Sequence, residues 1–245
     1  MNTKRLLSTL MILIAAASLI LAACAPSVPL TDSKDPVAVV KNFYEVLNTK
    51  DVEKAMSLTA EDYVMNDPFG TYDRSGALIQ WQAVVDAGLT FNQTNFVDTG
   101  NGRVTSCYEV FENGKSIDKG CGNVTHVRDG KIIFDGLLPA EQIWIAQKHY
   151  EAINTGNLEA AMSLVAEDVK CRGTCYLNGK ESYQFLVQGF IQTGGRTELS
   201  DFVVDGDKVT YNWIGYNQNN AVAGGGTEFM QIKDGKIILI ESDLR

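Results

Sequence analysis

Positive charge is scarce in this chain. The 21 Lys and Arg face 30 Asp and Glu, a net charge of −9. The only charged residues before Cys24 are Lys4 and Arg5, and without them the balance is 19 against 30, or −11. No basic run follows residue 5, which excludes the cationic surface that nucleic acid or anionic lipid requires. Histidine is rarer still, with His126 and His149 alone. The cysteines lack the paired C-x-x-C spacing of a structural metal site, so no metal and no cofactor is expected. Glycine and proline stay at 22 and 5 residues, too few for a collagenous or low-complexity chain. What remains, 45% apolar and 21% charged over 245 residues, is ordinary globular composition. That length suits two compact domains of about 100–110 residues each behind a leader.

The leader is residues 1–23. A basic start at Lys4 and Arg5 precedes an apolar stretch from Leu6 to Ala23, then a small-residue site ending in Cys24. That is the layout of a secretory signal. The segment Leu21 to Cys24 also resembles the bacterial lipoprotein lipobox, which implies cleavage before Cys24 and lipidation of its thiol. An uncleaved membrane anchor is the alternative, since an apolar stretch of eighteen residues nearly spans a bilayer. Residues 24–36 hold three of the five prolines and read as a tether. Either way the globular part is expected in the cell envelope, outside the cytoplasm.

The remaining cysteines fit an oxidising compartment, being even in number: Cys107, Cys121, Cys171 and Cys175. Asn113-Gly114 between two strand-like runs signals a hairpin. A two-residue turn there sets position 107 opposite 120, and one bulge brings Cys121 into place, so a Cys107–Cys121 bridge is expected. Cys171 and Cys175 can close only a tight loop.

The chain is a duplication. FYEVLNTKDVEKAMSLTAED at 43–62 aligns without gaps to HYEAINTGNLEAAMSLVAED at 149–168, with 12 of 20 positions identical. DGKII at 129–133 recurs at 234–238. A period of about 105 residues is far too long for a solenoid, whose units run about 20–50. Two whole domains in tandem, 37–137 and 143–245, is the reading that remains. In each, a first helix carries one buried stripe (Val40, Phe43, Leu47; Ile145, His149, Ile153). Asp51 and Asn157 are placed to cap a second helix. A loop follows, then a third helix, capped by Ser75 and bearing Leu78, Trp81 and Val85, or marked by Tyr183, Leu186 and Phe190. Runs rich in Val, Ile, Tyr, Phe and Thr come next, at 94–98, 103–111, 116–127 and 131–135, then 199–204, 208–216, 226–233 and 236–241. Three helices followed by a strand meander give an α+β fold, two cones each with helices packed on a curved antiparallel sheet.

This order, with AEDYVMNDPFG at 60–70 followed by RSG at 74–76, resembles the nuclear-transport-factor-two-like fold, and within it the SnoaL-like polyketide cyclases and ketosteroid isomerases. The resemblance implies an apolar pocket in each unit. In isomerases of this family the aspartate of the Asp-Pro-Phe-Gly turn is the general base, while a helix tyrosine and a protonated sheet aspartic acid hold the enolate oxygen. Carried over by position, the base falls on Asp67, the tyrosine on Phe43 and the sheet acid on Asn123, whose amide can still donate. In the second unit the corresponding positions are Gly173, His149 and Glu228, and His149 and Glu228 are expected to lie close together if both point inward. His126 is expected to face away from Asn123, outward. Trp81, Tyr108, Trp144 and Trp213 read as core or inter-domain packing, with Phe43 and Trp81 as pocket walls.

Three functions follow as expectations. The first is an envelope lipoprotein whose tandem pockets bind a small apolar organic molecule, held at the membrane through lipid on Cys24. The second is an isomerase- or cyclase-type enzyme in the first unit, with Asp67 as base and Asn123 as amide donor on a carbonyl compound. The third is an assembly role, with the two units packed as a pseudo-dimer through their sheets.

Overall fold

The computed structural model describes residues 33–67, 69–173 and 175–244. The leader, Cys24, most of the tether and Pro68 lie outside the described residues. The first unit runs α1 (Pro36–Asn48), α2 (Val52–Met56), β1 (Thr59–Asp67), β2 (Gly70–Asp73), α3 (Arg74–Asp86), β3 (Leu89–Asp98), β4 (Arg103–Glu112), β5 (Lys115–Arg128) and β6 (Lys131–Leu137). The second repeats it as α4 (Leu138–Asn154), α5 (Leu158–Ser163), β7 (Val165–Gly173), β8 (Leu177–Asn178), α6 (Lys180–Gln192), β9 (Arg196–Asp205), β10 (Lys208–Tyr216), β11 (Val222–Lys233) and β12 (Lys236–Leu244). Among the described residues no helix is long and apolar enough to cross a membrane.

Both sheets have the same strand order, β2-β1-β6-β5-β4-β3 and β8-β7-β12-β11-β10-β9. They are mixed rather than purely antiparallel, because β1 runs parallel to β6 and β7 parallel to β12. The stretch expected as a loop between the second and third helices is therefore a strand pair. Tyr63 and Met65 point into the core while Glu61 and Asp62 stay exposed, the alternation of a half-buried strand. Helix starts follow local chemistry. Asp35, Asp51 and Asn157 each accept a backbone N–H of the first turn. The cap of α3 is Asp73 rather than Ser75. Asp73 ends β2 with extended backbone, as an N-cap requires, and its Oδ1 accepts the Gly76 N–H at 2.8 Å, whereas Ser75 is already helical.

The hairpin β4–β5 closes as its turn chemistry dictates. Glu112 pairs with Lys115 across Asn113-Gly114, an irregularity near Val110 shifts the register by one, and Cys107 then faces Cys121 with Cα atoms 3.9 Å apart. The two are bridged, as are Cys171 and Cys175.

The units meet with no connecting loop, β6 passing straight into α4 at Leu137 and Leu138. Contact is made by the first turns of α4 lying on the outer face of the first sheet, not sheet against sheet. Arg103 of β4 holds Glu141 of α4 in a two-pronged ion pair, Nε–Oε1 at 2.6 Å and Nη2–Oε2 at 2.9 Å, and His126 Nε2 meets the same Oε1 at 2.5 Å. Burial alone would raise the Glu141 carboxyl, but the Arg103 and His126 hydrogen bonds, then their charge, hold it below its ordinary range. Trp144 packs on Phe134 and His126, with centroids 4.9 Å apart in each case. The Asp234-Gly235 turn presses from the other side: a Cβ at Gly235 would stand 2.8 Å from Arg103 Cδ. This corrects the expectation for His126. It does lie on the face opposite Asn123, but the second unit covers that face and buries it.

Replacing Cys107 and Cys121 together by Ser opens a loop spanning 14 positions. Urea unfolding should show a loss of about 3 kcal/mol on the chain-entropy account. An unchanged midpoint would mean the hairpin holds this register without the bridge.

Candidate functional site

Each cone buries one carboxyl group beneath its first helix. In the first unit this is Asp135 on β6. Its Oδ2 accepts from the Tyr44 hydroxyl at 2.7 Å, and its Oδ1 accepts from the Thr125 hydroxyl at 2.8 Å and the Asn123 amide at 3.1 Å. In the second unit it is Glu228 on β11. Its Oε1 accepts from the Tyr150 hydroxyl at 2.7 Å and from Tyr211, and its Oε2 accepts from Ser242. Burial pushes both carboxyls above their ordinary range, against the pull of these hydrogen bonds.

Tyr44 and Tyr150 occupy the same repeat position, one residue beyond Phe43 and His149. The tyrosine of each unit is therefore present and reaches its acid, whereas carrying the family pattern over by position had left the first unit without one. The signal was legible, since both copies read Tyr-Glu there. The acids differ by one strand. Position 123 is Asn where the second copy has Glu228, and position 135 is Asp where the second copy has Ile240. The charge has moved between neighbouring strands while the helix tyrosine stayed.

Volume separates the two units more sharply than charge. The first cone is filled by Phe43, Tyr44, Trp81 and Phe91, whose centroids lie 5.2–6.3 Å apart and mostly edge to face. The matching positions of the second are His149, Tyr150, Val187 and Thr197. The last equivalence, at the same offset of 106, is matched by a shared clasp. Asn48 donates to Phe91 O and accepts from Phe91 N, and Asn154 does the same with Thr197. Exchanging Trp81 for Val187 and Phe91 for Thr197 removes two ring systems. A cavity of about 200 Å3 stands there, lined by Tyr150, Ile153, Tyr183, Leu186, Val187, Phe190, Thr197, Trp213 and Ile240, with Glu228 and Ser242 as its polar end and the Cys171–Cys175 bridge at one wall. The Trp213 indole N–H is buried and meets no acceptor among the described residues.

His149 is fully buried behind this cavity. Its Nδ1 donates to Ala161 O at 3.1 Å, and its Nε2 lies 2.9 Å from the Tyr183 hydroxyl, which can donate to it in the neutral ring. Burial pulls its pKa down to about 4, opposed by the Ala161 hydrogen bond. His149 and Glu228 both point inward, but each is partnered elsewhere rather than with the other. Asp67 lies at the β1–β2 turn, half-buried, and its Oδ1 accepts the N–H of Phe69 at 2.8 Å and of Gly70 at 2.9 Å. Gly173, its counterpart, ends β7 with φ +81°, where a Cβ would collide with Ser242 O. Phe43 and Trp81 are buried core, and Asn123 is buried with its amide given to Asp135.

A curved mixed sheet roofed by helices, formed twice over, defines the class. The chain belongs to the family of the SnoaL-like domain, whose model matches residues 40–134 and again 146–240. Similar solved structures include an NTF2-like protein of unknown function from Mesorhizobium loti (19% identity, 44% of this chain and 93% of that one, TM-score 0.40). A candidate ketosteroid isomerase from Kribbella flavida is also similar (16% identity, 44% and 79%, TM-score 0.39). So is a candidate polyketide cyclase from Sinorhizobium meliloti (19% identity, 40% and 93%, TM-score 0.37). Comparison with curated proteins finds no match.

A histidine whose folded pKa lies below its ordinary 6.5 gives stability that is full above that value and is lost as pH falls toward about 4. The whole effect is about 3 kcal/mol. Asp135 and Glu228, with raised values, act in the opposite sense. The His149 share is therefore read as the stability difference between the parent and His149→Phe, the residue of the first copy. That difference should shift in favour of the variant by about 3 kcal/mol between pH 7 and pH 4. A pH-independent difference would contradict the buried, neutral assignment.

Proposed function

We propose that this protein is a cell-envelope binding protein whose second unit takes a small apolar organic molecule carrying one acceptor oxygen. The observation that carries the reading is the open cavity itself, where Val187 and Thr197 leave empty what Trp81 and Phe91 fill in the first unit. An apolar ligand restores the packing contacts that an empty space of this kind forgoes. Glu228, with its carboxyl pushed up by burial, and Ser242 supply further polar contacts at one end. The first unit, its centre occupied by four rings, acts as the packed half of the pair. The envelope address rests on the leader, on Cys24 as the lipidation site and on the two disulfides, which persist in oxidising compartments. Family members of this fold commonly bind small organic ligands, which agrees with the reading.

The proton-transfer alternative places Asp67 as base and Asn123 as donor in the first unit. Both groups are engaged within the protein, Asp67 by its own turn and Asn123 by Asp135. Binding without turnover is therefore the reading favoured.

The test refills the cavity with what the first copy holds there. Acetophenone should raise the melting temperature of the parent, and Val187→Trp and Thr197→Phe should each abolish that shift. An equal shift in both filled variants, confirmed folded by circular dichroism, would place binding elsewhere. Isomerisation or cyclisation of a carbonyl substrate by the parent, lost in Asp67→Asn, would favour the enzyme instead.

A further inference from the structure

The cavity of the second cone, at about 200 Å3, is smaller than most small-molecule sites, which run to about 300–1,000 Å3. Two of its lining residues, Leu186 and Phe190, also line a groove of about 450 Å3 on the outer side of α6, whose other walls are Leu177, Ser182, Phe185 and Gly189. These walls are open to solvent: Phe185 is 81% exposed and Leu186 43%. A Cβ on Gly189 would meet no atom within 4 Å, so nothing stands over the helix there. No charged residue lines the groove. The polar side chains of this part of α6, Glu181, Gln184 and Gln188, gather on the other side of Phe185, as a turn of 100° per residue requires. We propose, resting on the cone reading above, that the ligand of the second unit has a tail: a compact carbonyl head fills the cone, and an unbranched alkyl chain leaves past Leu186 and Phe190 to lie in the groove along α6.

The duplication supports this assignment. At the positions of Phe185, Leu186, Gly189 and Phe190 the first copy holds Ile79, Gln80, Ala83 and Val84. In the second copy a leucine thus replaces an amide, two rings replace aliphatic side chains, and a glycine gives up a methyl group. The unit whose centre is open is therefore the one whose third helix presents the larger apolar face and a bare stretch of backbone beside it. The two walls that cavity and groove have in common assign the groove to the molecule that enters the cone. From Ser182 to Phe190 the helix advances about 12 Å, which suits a linear chain. With no charged residue in the lining, a charged tail would find no counter-ion there to offset its desolvation. A contiguous exposed apolar surface of this kind marks a contact site on a soluble domain.

Titration calorimetry of the whole two-unit chain with acetophenone, butyrophenone, hexanophenone and octanophenone tests the tail. Each added methylene should tighten Kd about twofold, the value for a chain with one side buried. Phe185→Ser and Gly189→Glu should leave the acetophenone Kd unchanged and flatten the series. Both positions are exposed, so both variants are expected to fold, which circular dichroism checks. A flat series in the parent, or the full gain retained in both folded variants, overturns the proposal. Acetophenone binding that Val187→Trp abolishes, together with a flat series, would overturn the tail and leave the cone reading intact. Octanophenone binding that Gly189→Glu weakens and Val187→Trp does not would sink the cone reading, and with it the placement of the head, while keeping the groove as a site. Self-association that Phe185→Ser removes, with a flat series, would give the groove to a second copy of the chain and overturn the proposal.

Discussion

A carboxyl group enclosed beneath a helix must find donors there or lose several kcal/mol to desolvation, and in both halves of this chain the helix provides one. Tyr44 reaches Asp135, and Tyr150 reaches Glu228. These bonds tie the first helix of each unit to the far side of its own sheet, with sequence separations of 91 and 78 residues. The Asn48 and Asn154 clasps hold the same helices at their C-terminal ends against β3 and β9. With the helix fixed at both places, the space between it and the curved sheet is fixed too. Side-chain size then decides whether that space is full.

The duplication turns this into an internal comparison. The first copy spends its volume on rings, whose edge-to-face contacts and burial are stabilising. The second replaces Trp81 with Val187 and Phe91 with Thr197, and large-to-small exchanges of this kind cost about 2–5 kcal/mol each when the space stays empty. Trp213, which stands where the first copy has Tyr108, returns part of the volume but brings a donor that its surroundings do not satisfy. A chain free to keep the packed solution in both halves has kept it in one. The open space runs against stability, and occupancy by a ligand is the physical circumstance that offsets it.

Much of this was legible in the residues. The gapless repeat set the two units, and the strand runs after each third helix were placed within a few residues of their ends. The Asn-Gly turn and one bulge were enough to pair Cys107 with Cys121. The misses share a cause, which is that the deciding partner lies far along the chain. Residues 59–67 carry Glu61 and Asp62 among few β-formers, and they form a strand because β6, some seventy residues later, offers a parallel edge. His126 faces the side expected of it, but the cover that buries it is an α4 residue of the other unit. The contrasts Trp81 against Val187 and Phe91 against Thr197 both follow from the offset of 106, and the clasp hydrogen bonds bear out the second.

The junction shows what joining two cones in one chain adds. A flexible linker would let the units adopt many relative positions, but β6 continues into α4 without a loop, and Glu141 arrives beside Arg103 within the first turn. A buried ion cluster of this kind contributes little net stability, since desolvation offsets its Coulombic gain, and breaking it by removing one partner is costly. Its effect is to favour one arrangement over others. The Asp234-Gly235 turn reinforces this by occupying the space beside Arg103 that any added side chain would need. A single cone has only an interior to offer, whereas two cones held in one arrangement also define a cleft between them.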